Sequence, residues 1–91
     1  MSIEEKILLY FDQNNLRRSN KKILVAKYLT TYQTEVAAET LWIMIREKRL
    51  NISIASVYQA LNWMVDLGYA TKILKGRKSL YQIKETPTLS N

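Results

Sequence analysis

Cysteine and histidine are both missing from this 91-residue chain, proline occurs once and glycine twice. Without thiols there is no disulfide framework and no thiolate zinc site. Without either residue type, a borderline or soft divalent metal lacks its preferred ligands, and no cofactor is implied. There is no Gly-rich phosphate loop and no cluster of carboxylates, so an enzyme is the least expected class. The longest apolar run falls far short of a membrane span. The N-terminus lacks a basic region followed by an apolar core, so no signal peptide is expected. These absences lead to the expectation of a cytoplasmic protein with no membrane partner.

What is present is positive charge. The net charge is +6, and hydrophobic residues make up 47% of the chain. That apolar content suits one small domain able to fold alone. The basic residues fall in two blocks, Arg17, Arg18, Lys21, Lys22 and Lys27, then Lys72, Lys75, Arg77, Lys78 and Lys84. Together they hold ten of the fourteen lysines and arginines and none of the eight acids. Such clustering fits an acidic partner, and it also fits two solvated faces that keep the protein soluble.

The stretch Ile52 to Gly68 reads as the central helix. Ser53 suits an N-cap, and Gly68 stands where a left-handed terminal residue is wanted. Val57, Leu61, Met64 and Leu67 draw one apolar stripe. The opposite face carries Ser56, Tyr58, Gln59, Asn62, Trp63 and Asp66. It is polar, aromatic and nearly uncharged, which suits base edges in a major groove.

Ile52-Ser-Ile-Ala-Ser-Val-Tyr-Gln-Ala-Leu-Asn62, followed by Asp66-Leu67-Gly68, resembles the recognition segment of the ferric uptake regulator family. That segment typically reads I-x-x-A-T-V-Y-R-x-L-N with a glycine soon after. Upstream, Val36-Ala-Ala-Glu-Thr-Leu-Trp42 is similar to the family's V-S-A-E-D-L-Y. The likeness covers roughly Ser19 to Lys84, which corresponds to the family's N-terminal winged-helix domain. It implies a DNA-binding fold. The family usually adds a C-terminal domain that dimerises and carries metal, whereas this chain stops at Asn91. One family sensing position is a histidine just before V-S-A-E, and Glu35 stands there. The expectation is therefore a chain that is not itself a metal sensor.

In chain order, Ser2 and Glu5 form a capping-box signature for a first helix bearing Ile3, Ile7, Leu8 and Phe11 and ending near Asn14–Asn15. Its acids Glu4, Glu5 and Asp12 outweigh Lys6, which argues against phosphate contact. Ser19 suits the cap of a second helix over 20–32, with Val25, Ala26 and Leu29 inward. The third helix is expected at 37–48, with Ala38, Leu41, Trp42 and Ile45 inward. Ala37 is a poor cap there, and Thr34 is the alternative from further back. Arg46, Lys48 and Arg49 in its last turn favour the negative helix end, and a short extended link follows.

The recognition helix then spans about 54–67. Beyond Gly68 the period turns to alternation, with Gly76-Arg77 as the turn, and predicts a hairpin over about 70–84. The second, third and recognition helices and a hairpin, in this order, make a winged helix-turn-helix, mainly α with a small β-hairpin. Residues 1–86 form the domain and 87–91 a tail.

The resemblance and the chemistry together nominate the DNA-contacting residues. Tyr58 and Gln59 occupy the family's tyrosine–arginine pair that faces the major groove. Glutamine in place of arginine favours adenine over guanine. Ser56 matches the threonine that commonly approaches a phosphate, and Asn62 shares the same face. Lys21 and Lys22 stand where the family commonly has a proline–arginine pair, and lysine keeps the charge without the bidentate fork. Lys75, Arg77 and Lys78 suit phosphate or minor-groove contact from the wing. Lysines there also guard a strand edge against aggregation. The lesser reading of Tyr58 is a half-buried aromatic packed on the first helix. Trp63 is expected to lie against the wing or the first helix, the other reading being a partner interface.

The function expected is sequence-specific binding of double-stranded DNA in transcriptional regulation. Two rivals stand beside it: a winged helix used as a protein-interaction module, and an antagonist that pairs with another regulator. A homodimer or a protein partner is left open.

Overall fold

The hydrophobic spacing of the chain resolves into four helices and a small sheet in a computed structural model, which describes residues 3–14, 19–32 and 34–84. The helices are α1 (Ile3–Gln13), α2 (Asn20–Leu29), α3 (Ala38–Glu47) and α4 (Ile54–Asp66). The strands are β1 (Val36–Ala37), β2 (Ala70–Lys75) and β3 (Lys78–Ile83), in the antiparallel order β1-β3-β2. This is a winged helix. Ser2, Arg17, Arg18 and residues 85–91 lie outside the described residues, so the N-terminal capping box, the first two residues of the basic block and the tail do too.

Local signals set most boundaries. Lys22 N–H donates to Ser19 Oγ at 3.3 Å, and Ser56 N–H to Ser53 Oγ at 3.1 Å, so both serines cap. At the end of α4, Gly68 has φ +82°. Its N–H donates to Val65 O at 3.1 Å, while Tyr69 N–H donates to Met64 O at 2.8 Å. These two bonds form a Schellman stop, which turns the chain straight into β2. The β2–β3 hairpin pairs Ala70 with Ile83 and Lys75 with Lys78, around Gly76 at φ +62°.

Four expectations change. α2 ends at Leu29 and does not reach residue 32. The Thr30 and Thr31 hydroxyls donate to the carbonyls of Lys27 and Tyr28, each at 2.6 Å, satisfying acceptors that a further turn would have used. α3 starts one residue late, because Ala37 is its N-cap, with no side-chain cap bond, and Thr34 does not supply one. Val36 and Ala37 pair instead with Tyr81 and Leu80, so the hairpin gains a third strand. The link from α3 to α4 is not purely extended, since Arg49 sits in the left-handed region at φ 60°, where arginine is uncommon.

One core unites the elements. Ile7 and Phe11 of α1, Val25, Ala26 and Leu29 of α2, Ala38, Leu41 and Ile45 of α3, and Val57, Ala60, Leu61 and Met64 of α4 are all buried. Val36, Ala70 and Tyr81 close it from the sheet. Leu67, expected in the stripe, is half-buried, and Ala60 takes an inner place. Trp42 Nε1 donates to the Ile52 carbonyl at 2.8 Å, tying α3 to the entry of α4 and fixing the helix–turn–helix angle. The Arg46 guanidinium lies 4.8 Å over the Trp42 ring, so it braces this turn as well as sitting near the helix end.

Candidate nucleic-acid interface

The outer face of α4 is flanked on two sides. On one side, Ala37, Glu39, Thr40, Tyr58, Arg77, Lys78 and Ser79 line an open groove of about 480 Å³. Thus the first turn of α3, the first half of α4 and the tip of the wing converge there. Gln59, next along α4, is exposed. On the other side, Lys22 Nζ lies 4.8 Å over the indole of Trp63, one helical turn beyond Gln59 on the same face. Lys21, beside it in the first turn of α2, is exposed. Cations therefore reach the α4 face from α2 and from the wing.

The polar residues of that face are held in different ways. Ser56 Oγ accepts from Ser53 Oγ at 3.0 Å in the first turn. Asn62 Oδ1 accepts from the Tyr81 hydroxyl at 3.4 Å, which turns it towards the sheet, although the residue is exposed. Burial, with Glu39 as a lesser influence, pushes the Tyr81 hydroxyl's pKa up. Tyr58 is half-buried and donates its hydroxyl to Glu39 Oε2. It therefore leans on α3, not on the first helix. That bond, with burial behind it, pushes the Tyr58 pKa up to about 12. The same bond from Tyr58, then Glu39's own backbone N–H, hold the Glu39 carboxyl below its usual range, and Lys78 adds a smaller pull. The residue that sequence reasoning left out is Glu39. It stands nineteen residues from Tyr58, a separation over which no periodic pattern links two side chains.

Trp63 does not face a vacant surface. Its ring stacks on Phe11 at 5.4 Å and 11°, and meets Tyr10 and Tyr69 edge-on at 5.8 and 6.5 Å. The expectation that it packs on the first helix or the wing holds for α1, and Tyr69 leads into β2. Lys75 bonds Glu35 Oε1 at 3.3 Å, so this member of the wing set already has a partner.

The sequence model of the ferric uptake regulator family matches residues 13–90. The chain belongs to that family. Solved structures agree with the assignment. The Helicobacter pylori ferric uptake regulator Fur, with three functional metal-binding sites, is 28% identical with TM-score 0.74, over 91% of this chain and 60% of its own. PerR of Streptococcus pyogenes, described as a peroxide sensor, is 18% identical with TM-score 0.78, over 91% and 58%. A zinc uptake regulator complexed with zinc and DNA is 19% identical with TM-score 0.76, over 92% and 55%. The chain thus spans less than two thirds of the length of these regulators. No curated protein shows a significant match to the sequence. Members of the ferric uptake regulator family are transcription regulators, and no helix among the described residues of this chain is long and apolar enough to cross a membrane.

The family implies metal, and the donor set of this chain can be tested for it. Histidine and cysteine are absent. Glu35, at the sensing position named by the resemblance, has the Lys75 ammonium 3.3 Å away, which repels a divalent cation from the same carboxylate. Among the described residues, no three acidic, histidine or cysteine side chains come together. The described residues do not form a donor set that fits a regulatory metal. Micromolar zinc, iron(II) or manganese should therefore leave the melting temperature of this 91-residue chain unchanged relative to chelator, because a ligand that bound the folded state would raise it. A metal-dependent rise in differential scanning calorimetry would overturn this expectation.

Proposed function

We propose that this chain binds double-stranded DNA sequence-specifically to regulate transcription, with α4 in the major groove and the β2–β3 wing on the backbone or minor groove. The observation that carries the reading is that Arg77 and Lys78 of the wing line one groove with Tyr58 of α4, while Gln59 stands exposed beside it. A helix face that is polar but carries little charge, bordered by cations, suits base edges bordered by phosphates. Tyr58 and Gln59 take the bases in this reading, and Asn62 joins them only by giving up the Tyr81 hydroxyl. Ser56, whose oxygen already accepts from Ser53, keeps its own proton for a phosphate oxygen. Lys21 and Lys22 hold phosphate beside α2, and Arg77 and Lys78 beside the wing. Lys75 contributes only by giving up Glu35, so its share is smaller.

Selection of bound duplexes from a random pool tests this reading. The wild-type chain should enrich one motif. Gln59→Ala should relax preference at one base position by about 1–3 kcal/mol, and Gln59→Arg should shift that position towards guanine, because arginine offers two donors to its O6 and N7. Identical motifs for the three proteins would remove Gln59 from base reading.

A further inference from the structure

The hydrogen bond between α3 and α4 at the head of the groove points to a residue that acts on specificity through another. We propose that Glu39 is a positioning residue for base readout: it takes up the single hydroxyl proton of Tyr58, so that Tyr58 meets the DNA as an acceptor and a ring but never as a donor. The inference rests on the DNA-binding reading above and deepens it.

A phenol has one O–H donor and spare lone pairs. In this chain the donor is spent on Glu39 Oε2. The base edges of the major groove differ in what they offer. Guanine shows only the acceptors N7 and O6, adenine and cytosine show an amino donor, and thymine shows an acceptor and a methyl group. A tyrosine without a free proton cannot satisfy guanine, whose acceptors would face its lone pairs. It can still accept from an amino group or lie on a methyl group. Glu39 thereby turns a permissive side chain into one that selects against guanine, a preference achieved by excluding the wrong partner.

The surroundings keep the arrangement in place. Glu39 lies in the first turn of α3, where the positive helix end favours a carboxylate. Lys78, across the groove, favours the same charge. Tyr58 stays protonated through the physiological range, its pKa pushed up to about 12 by the Glu39 hydrogen bond first and burial second. Glu39 is exposed, so replacing it removes no core packing.

The test compares motifs selected from a random duplex pool by wild type, Glu39→Ala, Glu39→Gln and Tyr58→Phe, each first checked by thermal melt to be folded. Glu39→Ala frees the hydroxyl to donate, and the position read by residue 58 should gain guanine, losing about tenfold of its discrimination. Glu39→Gln still offers a carbonyl to Tyr58 and should keep the wild-type motif. A loss in Glu39→Ala that Glu39→Gln restores separates positioning from a merely structural role. Tyr58→Phe, which has no proton to give, should be indifferent to Glu39, so Tyr58→Phe with Glu39→Ala should select the same motif as Tyr58→Phe alone. An unchanged motif in Glu39→Ala, or one equally relaxed in Glu39→Gln, overturns the role of Glu39 while leaving DNA binding intact. If the wild-type chain itself enriches no motif at any salt concentration, the DNA-binding reading fails and the assignment falls with it.

Discussion

Trp63→Ala should lower the stability of the domain by about 3 kcal/mol, the lower part of the range for removing a packed tryptophan because the residue is only half-buried. Three terms make up the loss. The indole's buried area goes. The stack on Phe11 and the edge contacts with Tyr10 and Tyr69 go, and such pairs contribute roughly 0.5–1.5 kcal/mol beyond area. The seat beneath the Lys22 ammonium goes as well. A domain of this size has a total stability of about 5–14 kcal/mol, so the melting temperature should fall by about 12–24 °C. Trp63→Phe keeps an aromatic ring against Phe11 and should recover roughly half of the shift. Far-UV circular dichroism melts decide it. A fall of less than about 4 °C would mean that the cluster does not hold α1, and Trp63 would return to the reading of a partner interface.

The second large effect concerns DNA affinity. Changing Lys22, Arg77 and Lys78 together to alanine should flatten the log–log dependence of binding on salt by about 2.7, that is about 0.9 for each phosphate no longer neutralised. Near 0.1 M salt this corresponds to roughly 10²–10³-fold weaker binding to every duplex, with the motif preserved. The loss should be uniform across sequences because phosphate contacts position the protein and carry no base information. Lys75 is left out of the set, since its ammonium is shared with Glu35. Lys22 needs its own melt, since the cation over the half-buried Trp63 ring contributes about 0.5–2 kcal/mol. Titrations by fluorescence anisotropy at four or five salt concentrations give the slope. An unchanged slope would remove the two basic borders from phosphate binding.

Contacts that act at short range along the chain were legible. Ser19 and Ser53 cap because a serine oxygen reaches N–H groups two or three residues on. Gly68 ends α4 because it adopts a positive φ that other residues avoid. The wing was readable from an alternating run broken by Gly76. Even the unmatched details have local causes: the threonine hydroxyls that stop α2 at Leu29 bond three residues back. Arg49 is the exception, since no glycine or asparagine marks its left-handed turn. The Trp42 to Ile52 bond and the braced turn around it were not visible.

Residue identities and spacing alone determined the class of this protein: no thiol or imidazole side chain, a winged helix, a helix from Ile54 with a polar outer face, and positive charge in two blocks. Each of these depends on composition or on a period repeated within one element. Only the tertiary structure decided what each polar side chain meets. Glu39 meets Tyr58 across nineteen residues and Glu35 meets Lys75 across forty, and Lys22 settles over Trp63. The short strand β1 likewise exists because β3 lies beside it. Periodicity states which face of an element turns inward, since burial acts on every apolar residue alike. It carries no term for which hydroxyl finds which carboxylate, because a hydrogen bond depends on a distance of about 3 Å and a direction that only the packed chain supplies.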